Sequence, residues 1–241
     1  MKWFLTSSLL IPNTEEINPA NGFLDALKHC VPNPCKAVFV CSDPVHHEKT
    51  ERFAKSIQAA FLSAGFDFSQ FTILDSKNQE DAADLVSGAE LIILAGGHVS
   101  TQNRFFAQVG LKNLLQSFGG VLIGISAGSM NCAEVVYAHP DLAGEAIDAA
   151  YQKYLPGLAL TKKMILPHYQ MIKHDMLDGL RVMEDIAYPD SRGKAFYTLV
   201  DGSYLYLDNG IEKICGEAYL ITDGELSQIS RSEEHTSELQ S

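Results

Sequence analysis

The chain has 241 residues, 46% of them hydrophobic, and a formal net charge of −12. That length and apolar content suffice for one large or two small globular cores, and the acidic balance argues against nucleic acid and anionic membranes as partners. No stretch approaches the roughly 20 consecutive apolar residues of a membrane span, so a cytoplasmic protein is expected.

Residues 2–8 read as a first strand. They could be mistaken for a leader, but they carry one positive charge, a very short apolar run and no small-residue cleavage site. Residues 20–30 read as a helix with Phe23, Leu24 and Leu27 on one face. The continuous apolar run 36–41 marks a strand buried on both faces. Asp43 and Pro44 supply an N-cap and a first-turn proline. The helix behind them stripes Phe53, Ile57, Ala60, Phe61 and Ala64 and stops at Gly65. A strand over 71–74, a short helix over 80–86 and a buried strand over 90–95 lead to Gly96-Gly97. Two helices follow over 101–109 and 111–118, separated at Gly110.

Residues 121–125 form the next strand, with a helix-compatible segment over 129–135. Residues 137–160 are polar and irregular, as befits a long loop over a site. A short strand over 164–166 runs into Pro167-His168-Tyr169. The spacing of Met176, Leu180, Met183 and Ala187 predicts a helix over 175–187. Residues 195–200, 204–207 and 211–221 alternate in polarity between turn signals at Asp201-Gly202, Asp208-Asn209-Gly210 and Asp223-Gly224. They read as antiparallel strands closing the sheet. This rhythm predicts an α/β fold in one domain over residues 1–230, with a mainly parallel sheet and helices on both faces.

Residues 231–241 match what a common sequencing-library adapter would encode in frame. They are read as a non-native, disordered tail. The tail holds one arginine and three glutamates, so the acidic balance survives without it. The five cysteines lack framework spacing and read as reduced thiols. Cys30 and Cys35 have no second pair to complete a zinc site, and neither a metal nor a cofactor is expected.

Chemistry concentrates at Gly124-Ile125-Ser126-Ala127-Gly128, a G-x-S-x-G segment between a strand and a helix. This is the pattern of a nucleophile elbow, in which missing Cβ atoms let strand and helix pass close to a serine on a sharp turn. A serine hydroxyl needs a base and a group that orients the base. Of eight histidines, His98, His168 and His174 lie near the carboxyl ends of strands, where a parallel sheet keeps its chemistry. His168 directly follows a strand behind a stiffening proline and is preferred as base. Asp201, at the next strand end, is the preferred orienting acid, with Asp141, Glu134 and Asp175 as competitors. The oxyanion hole would comprise the Ala127 N–H and an N–H from Gly96-Gly97.

Taken together, Leu5-Thr6-Ser7-Ser8, the run 92–97, the run 123–128, Leu166-Pro167-His168-Tyr169 and Val200-Asp201-Gly202 resemble the S51 serine peptidases. That is the dipeptidase E (aspartyl dipeptidase) and cyanophycinase group, whose fold is like that of class I glutamine amidotransferases. The resemblance implies a flavodoxin-like three-layer sandwich and a serine exopeptidase acting on short peptides through an acyl-enzyme. In it Ser126 is the nucleophile, His168 the base, and the Gly97 and Ala127 amides the oxyanion hole. The family's acid at the position of Asp201 is usually Glu, and family accounts also nominate an acid near Asp141. His98 stands where the family usually has Asn. The arginine that binds an acidic substrate side chain is missing from 170–178, which leaves Lys173 and His174, together with His98, as candidate substrate-binding residues. A catalytically silent binding module and an amidotransferase-like protein are the alternatives, and a homodimer is compatible with either.

Overall fold

In the computed structural model, successive side chains of β1 (Lys2–Thr6) point alternately into two separate cores. The structure describes residues 1–208 and 210–232; the turn expected at Asn209 and the tail from residue 233 onward lie outside them. Trp3 and Leu5 enter one core and Phe4 the other, as the two-residue period of a strand requires. The same division runs through β2 (Cys35–Val40), β4 (Leu91–Leu94) and β5 (Val121–Ile125), whose inner residues are almost wholly buried. With β3 (Phe68–Leu74) they form a parallel sheet in the order β3-β2-β4-β5-β1.

Helices cover both faces. Phe23 and Leu27 of α1 (Phe23–Cys30) and Ile57 and Phe61 of α2 (His47–Ser63) pack into the Phe4 core. Val86 of α3 (Ala82–Gly88), Phe105 and Phe106 of α4 (Val99–Gln108) and Leu111 of α5 (Leu111–Leu114) pack into the Trp3 core. Each such side chain, taken fully from water, contributes on the order of 1.5–3 kcal/mol. The second helix begins at His47, later than the Asp43-Pro44 pair suggests. The Asp43 carboxylate accepts from the Val45 and His46 amides and holds a turn ahead of the helix.

Beyond β5 come α6 (Ala127–Met130), the antiparallel pair β6 (Val135–Tyr137) and β7 (Tyr154–Pro156), then β8 (Met164–Leu166) and α7 (Tyr169–Ile172). The helix expected over 175–187 is replaced in its first half by a hairpin of β9 (Met176–Leu177) and β10 (Leu180–Arg181). Its turn is Asp178-Gly179, both at positive φ (52° and 81°), the backbone that an Asp-Gly hairpin turn favours. A π-helical turn over Val182–Ala187 follows.

The remaining strands are β11 (Ala195–Leu199), β12 (Tyr204–Asp208), β13 (Ile211–Cys215), β14 (Ala218–Thr222) and β15 (Glu225–Ser230). They do not all close one sheet. β12 and β13 extend the main sheet antiparallel beyond β1. The other three join β8 in a second sheet ordered β15-β14-β11-β8, in which β8 and β11 run parallel. Among the described residues no helix is long and apolar enough to cross a membrane.

Candidate active site

Ser126 directly follows β5, and Ala127 opens α6, so the strand-turn-helix expected of the pentapeptide forms, though the helix has only four residues. The turn is tight. Ser126 has φ 50° and ψ −109°, a region costing a side-chain-bearing residue about 1–3 kcal/mol. Gly128 is what allows it: a Cβ there would lie 2.8 Å from the carbonyl carbon of Leu94 on the neighbouring strand. The strained backbone is fastened to β1 by the Ser126 amide and the Ser129 hydroxyl, which both donate to the Thr6 carbonyl at 3.1 and 2.8 Å.

His168 and Asp201 each stand two residues beyond the carboxyl end of a strand, β8 and β11 respectively, and those strands are parallel neighbours. This brings the two side chains together on the same side as Ser126. His168 Nε2 lies 2.9 Å from Ser126 Oγ, and His168 Nδ1 lies 2.7 Å from Asp201 Oδ1. Because a carboxylate only accepts, Nδ1 carries the proton, and in the neutral ring Nε2 is then the acceptor facing the serine hydroxyl. Burial raises the Asp201 carboxyl, but hydrogen bonds and charge from His168, with a hydrogen bond from Ser7, hold it below the usual aspartate value. Competing acids stand elsewhere. The Asp141 carboxylate is 3.6 Å from His98 Nε2, Glu134 is exposed, and Asp175 lines the cavity described below without a bond to His168.

Ser7 is a participant that no sequence motif singles out for a role. It follows β1, is fully buried, and its hydroxyl donates to Asp201 Oδ1 at 2.7 Å while accepting from the His168 amide at 2.8 Å. It thereby ties the first strand of the main sheet to both loops of the second.

Gly97 lies three residues past β4, at φ 149°, and a Cβ there would come within 2.7 Å of Ser42 Cβ. Among the described residues neither the Gly97 nor the Ala127 N–H has a hydrogen-bond acceptor. Gly97 borders the cavity in front of Ser126, whereas Ala127 is fully buried. That cavity holds about 260 Å³ and is bounded by Ser126, His168, the 139–141 segment and residues from α7 through β9.

The three expected substrate-binding residues are not in it. Lys173 and His174 are exposed, and Lys173 Nζ lies 5.6 Å from the centre of the Tyr169 ring. The single turn of α7 presents Met171 and Ile172 to the cavity and carries the next two residues away from it. His98 borders a different cavity, its ring held between Thr101 Oγ1 at 2.8 Å and Glu145 Oε1 at 2.9 Å. His98, Asp141 and Glu145 each bring a metal-ligand-type atom within 4.8 Å of the others. Their mutual contacts account for this closeness, since the other Glu145 oxygen accepts from the Asp141 and Leu142 amides.

Cys132, the thiol nearest the elbow in sequence, is wholly buried, donates to the Gly128 carbonyl at 3.1 Å and is pushed far up in pKa by that burial. A thiol so placed is not a nucleophile. All five cysteines are free.

A family model described as Peptidase family S51 matches residues 4–214. No curated protein matches the chain. Among solved structures, a peptidase from an acI-B1 actinobacterium superposes with a TM-score of 0.63 at 16% identity, over 96% of this chain and 95% of that one. A proposed peptidase E from Listeria monocytogenes EGD-e gives 0.62 at 16% identity, over 88% of this chain and 96% of its own. At those identities the superpositions speak for a shared fold.

Proposed function

Since the chain belongs to peptidase family S51, and is a peptidase by that membership, we propose that it hydrolyses short peptides through an acyl-enzyme on Ser126. The observation that carries this reading is the continuous path Ser126 Oγ–His168 Nε2–His168 Nδ1–Asp201 Oδ1, with contacts of 2.9 and 2.7 Å.

In this mechanism Ser126 Oγ attacks the scissile carbonyl carbon while its proton passes to His168 Nε2. The new negative charge on the carbonyl oxygen is met by the Gly97 and Ala127 N–H groups. His168, now an imidazolium held by Asp201, returns the proton to the leaving amine, and the C–N bond breaks. Water then attacks the ester with His168 as base, releasing the acid and restoring Ser126. Asp201 stays ionised throughout, which suits a carboxyl held below its ordinary pKa. A cavity of about 260 Å³ lies at the small end of ligand-pocket volumes, which favours a short peptide over an extended chain.

A serine-reactive fluorophosphonate tests the nucleophile. Peptide mapping should find the label on Ser126, and Ser126→Ala should abolish both labelling and dipeptide hydrolysis. Hydrolysis by that variant at the wild-type rate would sink the mechanism.

A further inference from the structure

The cavity in front of Ser126 has an apolar floor and an acidic rim. Met130, Leu166 and Val182 are buried and form part of its lining. Met171 and Met176, also lining it, are 56% and 60% exposed and offer apolar surface at its mouth. The acidic groups on the same lining are Asp141, whose carboxyl is only partly exposed and is raised in pKa by burial, and the exposed Asp175. No lysine or arginine is among the lining residues, and Arg181 nearby is paired with Asp185 at 2.7 Å.

His139 belongs to that lining, and its Nε2 is buried with no hydrogen-bond partner among the described residues. Asp141, Glu145 and Asp175 act on it electrostatically, yet burial outweighs them and keeps its imidazole towards the neutral form. His139 therefore brings a vacant ring nitrogen and not a fixed positive charge. A buried polar atom without a partner is costly unless something completes it.

We propose that Asp141, Asp175 and His139 form an amine subsite, holding the free α-ammonium of a short peptide whose first side chain is apolar and rests on the floor. An ammonium gives three N–H donors and accepts nothing. The lining supplies two carboxylates to receive them, and the buried, unpartnered His139 Nε2 becomes a third acceptor once its ring turns toward the cavity. An acidic first residue meets the reverse. Its carboxylate would lose water beside two like charges with no fixed cation to replace that hydration. Asp141 is thus a substrate-binding residue and not the group that orients His168.

This inference rests on Ser126 being the reacting group, so its test reads binding with the chemistry removed. Isothermal titration calorimetry on the full-length Ser126→Ala variant would compare Leu-Leu, N-acetyl-Leu-Leu and Asp-Leu. Leu-Leu should bind, and N-acetylation, which removes the charge and two of the three donors, should weaken it by about tenfold, as expected for ion pairs at a solvated rim. Asp-Leu should bind more weakly than Leu-Leu. Adding Asp141→Asn or Asp175→Asn should shrink the penalty for acetylation. Failure of Leu-Leu to bind, equal binding of the acetylated peptide, tighter binding of Asp-Leu, or an acetylation penalty unchanged in both double variants would each overturn the proposal. Hydrolysis is not part of this readout. Loss of the serine mechanism would appear instead as wild-type enzyme that binds Leu-Leu but neither cleaves it nor takes the label.

Discussion

Replacing Ser7 by alanine isolates a residue that touches no substrate. Its hydroxyl has one proton, and the Asp201 carboxylate at 2.7 Å competes for it with the Leu199 carbonyl at 3.2 Å. The shorter bond to the charged acceptor wins. Ser7→Ala removes that bond, worth about 1.5–3 kcal/mol when the acceptor is charged, and orphans the His168 N–H, at a cost of about 1–3 kcal/mol. Because water reaches part of this site, a combined loss of roughly 2–4 kcal/mol in unfolding free energy is expected, visible as a lower urea midpoint. A separate effect should appear on the chemistry. If Asp201 and His168 lose about 1.4 kcal/mol of mutual positioning, fluorophosphonate labelling of Ser126 slows about tenfold. Without the Ser7 proton the Asp201 carboxyl rises in pKa, so the acid limb of the rate–pH profile moves to higher pH. Ser7→Cys, nearly isosteric and still a weak donor, should restore part of the rate. An unchanged labelling rate and acid limb in a variant of lower stability would make Ser7 a purely structural residue and refute the positioning role.

Four further outcomes are expected. Asp201→Asn should cut kcat by up to about 10⁴-fold, the loss known when a buried triad acid is neutralised, whereas Asp141→Asn should leave the labelling rate of Ser126 within a few-fold of wild type; the reverse pattern would exchange the two roles. The Asp201 carboxyl is depressed in the folded state, so its stabilisation is complete above the unfolded value of about 3.9 and fades as pH falls through the lower folded value. Urea titrations of wild type and Asp201→Asn should therefore converge under acid, and a constant gap from pH 6 to 2 would contradict this. Ser126→Gly should raise Tm slightly, since relief of about 1–3 kcal/mol of backbone strain exceeds the roughly 0.5–1 kcal/mol entropic cost of glycine; a lower Tm would mean the turn is not strained. Gly128→Ala should lower stability by at least about 1–3 kcal/mol, because its Cβ would press on the backbone of Leu94, and wild-type melting would show that β4 and the elbow part more easily than the packing implies.

What could be read from sequence follows from what decides each element locally. The inner strands β2, β4 and β5 are short apolar runs buried on both faces, a mark no loop imitates, whereas β3 at the sheet edge is only partly buried. The segment after Asp175 misleads because Met176, Leu180 and Met183 fall at helical spacing, while the turn chemistry of Asp178-Gly179 overrides periodicity. Its carboxylate also caps the Gly144 and Ala146 amides of the 138–153 loop, a long-range bond without a local signal. The C-terminal strands alternate correctly, but alternation names no partner, so their division between two sheets stays hidden. Ser126, His168 and Asp201 stand out because each follows a strand end with a recognisable turn or proline. Ser7 also follows a strand end, yet a serine there is ordinary until the fold places Asp201 beside it. Lys173 and His174 stand out because the resembled family places an arginine in that segment, whereas the turn of α7 presents Met171 and Ile172 to the cavity.

Ser7 and Asp201 are 194 residues apart in the chain, and Ser126 and His168 are 42 apart and on different sheets. Loop closures of such length are entropically late events. On refolding, helical and parallel-strand signals should therefore recover before the serine becomes reactive, and reactivity should return only with the contacts that dock β8 and β11 against the end of β1. A chain cut before β11 would carry the elbow and His168 but lack Asp201, so its serine should not take the fluorophosphonate label.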